Sequence, residues 1–422
     1  MTALRIARLD ITPVAFRDPP LLNAVGVHEP FALRAIVQLH TDAGILGLGE
    51  TYGDAGHLDL LDRLAPLLVG LDVFALNELR QRVITALGGA TRNDRHGLTG
   101  HATSTGTVDR VFAAFEVACL DAQGRAVGRP VCDLLGGAVR TSVPYSAYLF
   151  YKWPGHPGQA DDRFGAALDP DAIVRQARQM VDEFGFGAIK LKGGVLAPRD
   201  EVDAILALHT AFPELPLRLD PNAAWSVPTA IEVGRRLDGV LEYLEDPVPG
   251  IAAMAEVGRA VPMPLATNMC VVSFDQIPEA VRADAVGIVL SDHHFWGGLT
   301  RSQLLAGLCE TFGLGLSMHS NSHLGISLAA MTHLGAATPG LTYACDTHWP
   351  WKDPDEDVVV AGTLRFVDGA VPVPTAPGLG VELDADALAR LHEQYLRCEV
   401  RSRDDTSYRR RFEPDYRPAS GL

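Results

Sequence analysis

Three polar endings, KLKGG (190–194), LDPN (219–222) and LEDP (244–247), decide the fold of this chain. Each ending follows an apolar stretch of strand length, and consecutive endings lie about one strand and one helix apart. In parallel sheets with crossover helices, such endings fall at the edge where the carboxyl ends of the strands meet. The three segments therefore predict neighbouring parallel strands with a functional edge.

The same pattern extends in both directions, to eight strand-like segments separated by amphipathic helical stretches. The segments are VPYSAYLFY (143–151), FGAIKLKGG (186–194), PLRLDPN (216–222), LEYLEDP (241–247), PLATNM (264–269), VGIVLSDHH (286–294), LGLSMHS (314–320) and LTYACDTHW (341–349). This alternation predicts a parallel (β/α) barrel with its polar residues at the carboxyl rim. A doubly wound sheet is the alternative, but it usually has fewer strands and a phosphate-binding fingerprint after the first one.

Residues 1–136 have a different order, with strands first and helices afterwards, which indicates an α+β unit. The predicted strands and then helices of this unit are 4–12, 32–41, 46–50, 58–70 and 108–127. We predict the barrel at 137–361. The remaining segment, 362–422, carries two short alternating stretches and a helix near 384–396, and we expect it to pack on the N-terminal unit.

The composition is that of a globular protein with an acidic surface. The chain has 422 residues, 47% of them hydrophobic and 21% charged, and a formal net charge of −16. Nucleic acids and anionic membranes repel such a surface, so neither is expected as the main partner. The six cysteines are scattered without a CxxC pair, residues 1–14 lack the apolar core of a signal peptide, and no run reaches membrane-spanning length. We expect a cytoplasmic homo-oligomer with reduced thiols and a small-molecule substrate.

Asp220, Glu245 and Asn268 end three successive predicted strands. Because adjacent parallel strands lie about 4.8 Å apart, the three side chains can converge on one point. Three hard oxygen ligands suit Mg²⁺, or Mn²⁺, better than zinc. The alternative is that the acidic residues only cap the turns that follow the strands.

Two lysines and a histidine–aspartate pair flank these three residues. Lys190 and Lys192 are two positions apart on one strand, so both point inward, and their proximity can lower the pKa of one of them enough to make it a base. Asp292 ends the sixth strand and His319 the seventh, so the carboxylate can orient the imidazole towards the barrel axis. The alternatives are surface lysines in a turn and a core histidine that is satisfied by a neighbour.

The remaining candidates have less specific signals. His319 and His323 have an HxxxH spacing, but the glutamate of a zinc motif is missing and a strand precedes them. His348 ends the eighth strand, and Trp349 and Trp351 either wall the mouth of the barrel or serve as packing residues. No motif supports a nicotinamide, ATP or serine-hydrolase enzyme.

A lysine on one side of a divalent ion and a histidine–aspartate pair on the other suit the removal of a proton next to a carboxylate. At these residues the sequence resembles the enolase superfamily, and within it the glucarate dehydratase group. The motifs are KLKGG (190–194), DPNAAWS (220–226), EDP (245–247), ATNM (266–269), LSDHHFWGG (290–298), MHSNSHLGISLA (318–329) and ACDTHWPW (344–351), with LLNAVGVHEP (21–30) and LGLGETYGD (46–54) before them.

The resemblance implies an α/β fold, a (β/α)7β modified TIM barrel with an N-terminal α+β capping domain that the C-terminal segment completes. It implies a Mg²⁺ enzyme that dehydrates D-glucarate and L-idarate to 5-dehydro-4-deoxy-D-glucarate and interconverts the two. Lys192 is then the base for one C5 stereochemistry, and His319, oriented by Asp292, is the base for the other, with Lys190 at the substrate carboxylate. The implied substrate contacts are Lys190, Asn23, His28, Thr107, Tyr148, Asn222, Ser320, Asn321, His348 and Arg403.

Two segments depart from the family pattern. The stretch VPGIAAMAEVGRAVPM (248–263) is shorter and more apolar than the family's, and GGATRNDRHGLTGHATSTGT (88–107), expected to form a loop over the substrate, matches it poorly. Specificity is expected to depend on both. A dehydratase or epimerase of another acid sugar, and a weakly active paralogue, are the alternatives.

Overall fold

The N-terminal unit consists of strands followed by helices, as its sequence pattern predicts. The computed structural model describes residues 3–89 and 104–422. The elements of this unit are strands β1 (Ile6–Arg17), β2 (Leu22–Asn23), β3 (Gly26–Val27), β4 (Phe31–Thr41) and β5 (Leu46–Tyr52), then helices α1 (Ala55–Leu68), α2 (Leu76–Leu87), α3 (Ser104–Val127) and α4 (Val131–Leu134). β1, β4 and β5 form an antiparallel sheet, and β2 pairs with β3. We call this unit the cap.

Helix α3 lies directly on β5, and glycines permit the contact. A Cβ atom at Gly49 would lie 2.5 Å from the carbonyl oxygen of Ala114, so no larger residue fits there without a shift of the backbone. The close approach packs α3 against β5 next to Glu50, which bonds the barrel at Leu324 N and Ser327 N.

The barrel strands form where short aliphatic runs are buried along their whole length, as in Ile189–Lys192 and Ile288–Ser291. After a short strand β6 (Ser142–Pro144), the barrel strands are β7 (Ala147–Phe150), β8 (Ile189–Lys192), β9 (Leu217–Asp220), β10 (Leu241–Glu245), β11 (Leu265–Thr267), β12 (Ile288–Ser291) and β13 (Gly315–Met318). The helices are α5 (Pro170–Phe184), α6 (Pro198–Ala211), α7 (Val227–Arg236), α8 (Ile251–Gly258), α9 (Ile277–Ala283), α10 (Gly298–Phe312) and α11 (Gly325–Ala336). β7 to β13 form one parallel sheet in chain order, which confirms the barrel class over a doubly wound sheet.

The eighth predicted strand, 341–349, is not a regular strand. The backbone N–H groups of Thr342 and Tyr343 both donate to the carbonyl oxygen of Leu316, so the ladder with β13 is irregular. On the other side the segment makes an isolated parallel bridge between Cys345 and Tyr145. The segment therefore joins the two edges of the seven-stranded sheet without forming a strand of its own.

The C-terminal segment packs on both units. It contains β14 (Ala370–Pro372), α12 (Ala385–Arg397) and α13 (Asp405–Arg410). β14 pairs with β6 beside the barrel, a contact that the sequence did not predict. α12 completes the cap, because Gln394 and His392 bond the carbonyl oxygens of Ala15 and Pro13 on β1. The domain boundaries at 136 and 361 stay predictions.

All six cysteines are buried free thiols, as predicted. Within residues 3–89 and 104–422, no helix has both the length and the apolar character needed to cross a bilayer.

Candidate active site

Charged side chains from β8, β9 and β10 meet at the carboxyl end of the barrel, where they are fully buried. The Lys190 ammonium lies 2.6 Å from Glu245 Oε2, 2.6 Å from Asp346 Oδ2 and 3.6 Å from Asp220 Oδ2. Lys192 Nζ donates to Asp220 Oδ2 at 2.7 Å. The strand ends thus converge as predicted, and Asp346 is an additional acidic residue that the sequence reasoning missed.

Burial and charge move the pKa values of this cluster apart. Burial, reinforced by Asp220, raises the pKa of Glu245 well above its usual range. Although burial opposes the shift, Lys192 and Lys190 lower the pKa of Asp220 to about 2. Burial by itself would lower the pKa of Lys190. The negative charges of Asp346 and Glu245 outweigh burial and hold this pKa well above its ordinary value. The prediction that the lysines lower each other's pKa is therefore wrong for Lys190.

The donor set at the cluster fits a divalent cation. Among the described residues, Glu245 Oε1 and Asn268 Oδ1 are buried without a hydrogen-bond partner. Leaving such oxygens unpaired is costly, and a hard cation would satisfy them. Asp220, Glu245 and Asn268 could hold a metal, whereas the alternative reading as turn caps leaves these atoms unexplained.

The turns behind the donors are held in a left-handed conformation. Asn222 has φ 55° and Asp246 φ 36°, values that favour asparagine and aspartate among residues with a side chain. Asp246 accepts hydrogen bonds from Thr267 Oγ1 at 2.6 Å, Asn268 N at 2.7 Å and Met269 N at 3.0 Å. Asp246 thus fixes the backbone that carries Asn268.

His319 and Asp292 meet on the other side of the barrel, as predicted. His319 Nδ1 lies 3.2 Å from Asp292 Oδ2, and His294 Nδ1 lies 2.8 Å from Oδ1 of the same carboxylate. Burial by itself would raise the pKa of Asp292. The two histidines, His294 and His319, outweigh burial and hold this pKa well below its usual range. His323 bonds Leu324 O and Thr347 Oγ1 instead, so the described structure gives the HxxxH reading no support.

His348 lies over the substrate side of the barrel, but the two tryptophans do not. His348 Nδ1 is 3.0 Å from Ser320 Oγ, and its ring meets Tyr148 edge to face. Burial, reinforced by the neighbouring His28 side chain, holds the pKa of His348 well below its usual range. Trp351 donates to Tyr148 O from behind, and Trp349 packs under the Lys352 ammonium. The packing alternative is therefore right for both tryptophans.

A central pocket brings most of the predicted residues together. Its lining comprises the side chains of Asn23, Val25, His28, Tyr148, Phe150, Lys192, Asn222, Asn268, His319, Ser320, Asn321, His348, Arg403 and Asp405. Lys190 lies beneath this lining rather than on it. Thr107, in the first turn of α3, is buried and lies outside the lining. No residue of the stretch 248–263 belongs to the lining either. Residues 90–103 of the expected substrate loop lie outside the described residues.

The cap and the C-terminal segment supply the polar roof of the pocket. Arg403 donates from Nε and Nη2 to the two carboxylate oxygens of Asp405, at 2.7 and 2.6 Å, and Asn23 donates to the same carboxylate at 2.6 Å. His28 is held by Asp18, 2.9 Å from its Nδ1. Sequence reasoning missed Asp405, although it lies in the run RDD (403–405) that drew attention to Arg403.

Two family descriptions match the chain over most of its length. "Mandelate racemase / muconate lactonizing enzyme, N-terminal domain" matches residues 9–136, and "Enolase C-terminal domain-like" matches residues 172–387. A protein of Streptomyces coelicolor described as a probable glucarate dehydratase is 50% identical over 98% of this chain and 97% of its own length.

Solved structures agree in fold along the whole chain. An enolase from Thermobispora bispora, complexed with magnesium and formate, is 64% identical with a TM-score of 0.98, covering 100% of both chains. An enolase from Mycobacterium smegmatis complexed with tartrate is also 64% identical, with a TM-score of 0.95 over 100% of this chain and 98% of that one. Since both family descriptions match, over a cap and a barrel that these relatives share along nearly the whole chain, the chain belongs to the enolase superfamily.

Proposed function

We propose that the protein is a Mg²⁺-dependent dehydratase of acid sugars that converts D-glucarate and L-idarate to 5-dehydro-4-deoxy-D-glucarate. One observation carries the proposal. Lys192 on β8 and His319 after β13 line the same pocket from strands separated by four others, with the buried oxygens of Glu245 and Asn268 between them. Two bases that approach one carbon from opposite sides suit substrates of either configuration at that carbon.

The relatives support the substrate class. The Streptomyces coelicolor relative is described as a probable glucarate dehydratase, and the Mycobacterium smegmatis structure holds tartrate, a diacid with hydroxyl groups next to its carboxylates. The Thermobispora bispora structure holds magnesium. In this chain Asp220, Glu245 and Asn268 would hold Mg²⁺, which when bound supplies positive charge beside the substrate carboxylate.

The side chains then divide the proton transfers. Lys192 removes the C5 proton of one epimer and His319 removes that of the other. The electron pair of the C5–H bond forms a C4–C5 double bond as the C4–O bond breaks. The departing hydroxide leaves as water with a proton from His319, which is the proton just taken from C5 when His319 is the base. When Lys192 is the base, His319 starts the step protonated and supplies that proton. The resulting enol becomes the 5-keto product by protonation at C4. Return of a proton to C5 before elimination interconverts the epimers.

An epimerase that does not eliminate water needs the same two bases, and a weakly active paralogue retains the same residues. Accumulation of an α-keto product, trapped with semicarbazide, separates a dehydratase from both. The screen uses a panel of hexarates, aldonates and other acid sugars, with metal-free enzyme as the control. Highest kcat/KM on an aldonate such as gluconate would contradict the hexarate assignment.

Arg403 tests recognition of the second carboxylate of a hexarate. Its Nε and Nη2 donate to Asp405, and the residue lines the pocket. We expect Arg403→Ala to lower kcat/KM on glucarate by about 30-fold or more, because truncating one partner of a buried charge pair costs about 2–5 kcal/mol. The loss on gluconate should be much smaller. Arg411→Ala, an exposed arginine of the same segment, is the matched control, and equal losses on both substrates would contradict the role.

A further inference from the structure

Five buried side chains form a continuous hydrogen-bonded network from the cap to the candidate base His319. Glu50 on β5 accepts from Arg34 Nε on β4 at 2.7 Å, and Arg34 Nη2 reaches His294 Nε2 at 2.8 Å. His294 Nδ1 contacts Asp292 at 2.8 Å, and Asp292 contacts His319 at 3.2 Å. Every member is at most 5% exposed. We call this set the Glu50–His319 network.

Arg34 fixes the direction of the hydrogen bonds in this network. A guanidinium only donates and stays charged at every accessible pH. At 2.8 Å, His294 Nε2 must therefore accept, and its single ring proton lies on Nδ1, from which it donates to Asp292 Oδ1. The other oxygen of Asp292 accepts from His319 Nδ1–H, which leaves His319 Nε2 as a free base on the pocket side.

The guanidinium is itself held in place by the junction of the two units. Glu50 also accepts from the backbone N–H groups of Leu324 and Ser327, at 2.9 and 2.8 Å, at the start of barrel helix α11. Arg34 Nη2 donates to Ser327 Oγ at 3.1 Å. The cap residues Arg34 and Glu50 therefore reach the barrel only when the cap is docked.

Resting on the proposed function, we propose that Arg34 is a positioning residue that sets the tautomer of His294 and, through Asp292, makes His319 a base. Neither Arg34 nor His294 lines the pocket. Loss of Arg34 would leave Ser327 Oγ, 3.1 Å away, as the partner of His294 Nε2. Because a hydroxyl can accept as well as donate, His294 could then carry its proton on Nε2, turning Nδ1 into an acceptor against the carboxylate. Exchange of the C5 proton by His319 would then fail while exchange by Lys192 continues, because Lys192 bonds Asp220 and has no contact with the network in the described structure.

The test follows exchange of the C5 proton in D₂O, separately on D-glucarate and L-idarate, with Lys192→Ala and His319→Asn assigning each epimer to its base. Arg34→Lys retains a cation beside Glu50 but loses the second nitrogen that reaches His294. We expect exchange on the His319 side to slow by about 10-fold or more, since a positioned base contributes about 10²–10⁴-fold. Exchange on the Lys192 side should change far less.

Glu116→Gln is the matched control for cap docking, because Glu116 on α3 joins the cap to barrel helix α10 by accepting from Leu299 N at 3.0 Å, outside the network. It should move both exchange rates together or leave both unchanged. Equal slowing on both sides in Arg34→Lys, no slowing, or the same selectivity in Glu116→Gln would overturn the proposal.

A second measurement does not depend on turnover. In protein labelled with [¹⁵N]histidine, the His294 signal, assigned with His294→Gln, should show the Nδ1–H tautomer, and Arg34→Lys should convert it at least partly to Nε2–H. An Nε2–H tautomer in the wild type overturns the network even in an active enzyme. If the wild type exchanges neither epimer, the proposed function fails, and the tautomer decides the network alone.

Discussion

At the scale of single residues, the position of the Asn268 donor depends on Asp246, which lies outside the pocket. Its carboxylate binds three donors, including Asn268 N. In Asp246→Asn the new asparagine tolerates the positive φ at this position. Its NH₂ group takes the place of one acceptor oxygen, so a donor then faces groups that also donate. We expect Mg²⁺ affinity, measured by calorimetry, to fall about 10–100-fold, as for other residues that orient ligands.

Asp238→Asn, an exposed aspartate in the turn after α7, is the control for charge alone and should leave the affinity unchanged. Unchanged affinity in Asp246→Asn would mean that the backbone holds Asn268 without the carboxylate.

Strand alternation made Lys190, Lys192, Asp220, Glu245 and Asn268 predictable, because it fixes which side chains share the rim. The residues that position these side chains and His319 were not predictable. Asp346, Asp246 and Arg34 face other polar side chains instead of the pocket, and their partners come from distant parts of the chain. One sequence gives residue types and spacing, but not which buried acid meets which buried base.

At the scale of elements, the sequence predicted seven barrel strands and failed on the eighth. The segment 341–349 has the same apolar start and polar end as the other strand segments. Two consecutive backbone N–H groups of this segment nevertheless donate to one acceptor, the carbonyl oxygen of Leu316, which breaks the regular ladder. Residue pattern reports which side chains are buried, whereas hydrogen-bond register depends on the two strands that flank the segment. The pairing of β14 with β6 could not be predicted from the residue pattern for the same reason.

His333 joins α11 to α4 and to the C-terminal segment, and it provides a pH-dependent contribution to stability. Its Nδ1 accepts from Cys132 N of α4, and its Nε2 donates to Leu379 O. Burial lowers its pKa to about 4, so the fold favours the neutral ring. The contribution is complete above the unfolded pKa of about 6.5 and is lost as the pH falls towards 4.

We expect wild-type protein to lose about 2 kcal/mol more unfolding free energy than His333→Gln between pH 7 and 5, because each unit of pKa difference is worth about 1.4 kcal/mol. Urea titrations at both pH values measure this. His209→Gln, on helix α6, should keep the wild-type pH dependence, and an unchanged pH dependence in His333→Gln would show that the fold does not lower the pKa of this ring.

At the scale of the whole molecule, the order of a cap, a barrel and a returning C-terminal segment followed from the sequence pattern. What the pattern left open is how firmly the units are joined. One hydrophobic cluster runs from Val14 and Leu48 of the cap to Leu149 and Leu191 of the barrel. The candidate pocket also takes Asn23 and Arg403 from outside the barrel, so the pocket is complete only when the units are docked.

The junction between cap and barrel should therefore unfold together with both units. Glu116 of α3 accepts from Leu299 N, Thr300 N and Thr300 Oγ1 at the start of α10, at 3.0, 2.9 and 2.8 Å. Glu116→Ala leaves these buried donors unpaired, and we expect it to lower the unfolding free energy by about 1–3 kcal/mol.

All five tryptophans lie between residues 153 and 351, so their fluorescence reports the barrel, while far-UV circular dichroism reports both units. Both signals should shift to the same lower urea midpoint in Glu116→Ala, whereas Glu78→Ala, which breaks only an exposed ion pair on α2, should shift neither by much. Loss of circular dichroism before fluorescence would mean that the cap unfolds on its own and that the shared core does not couple it to the barrel.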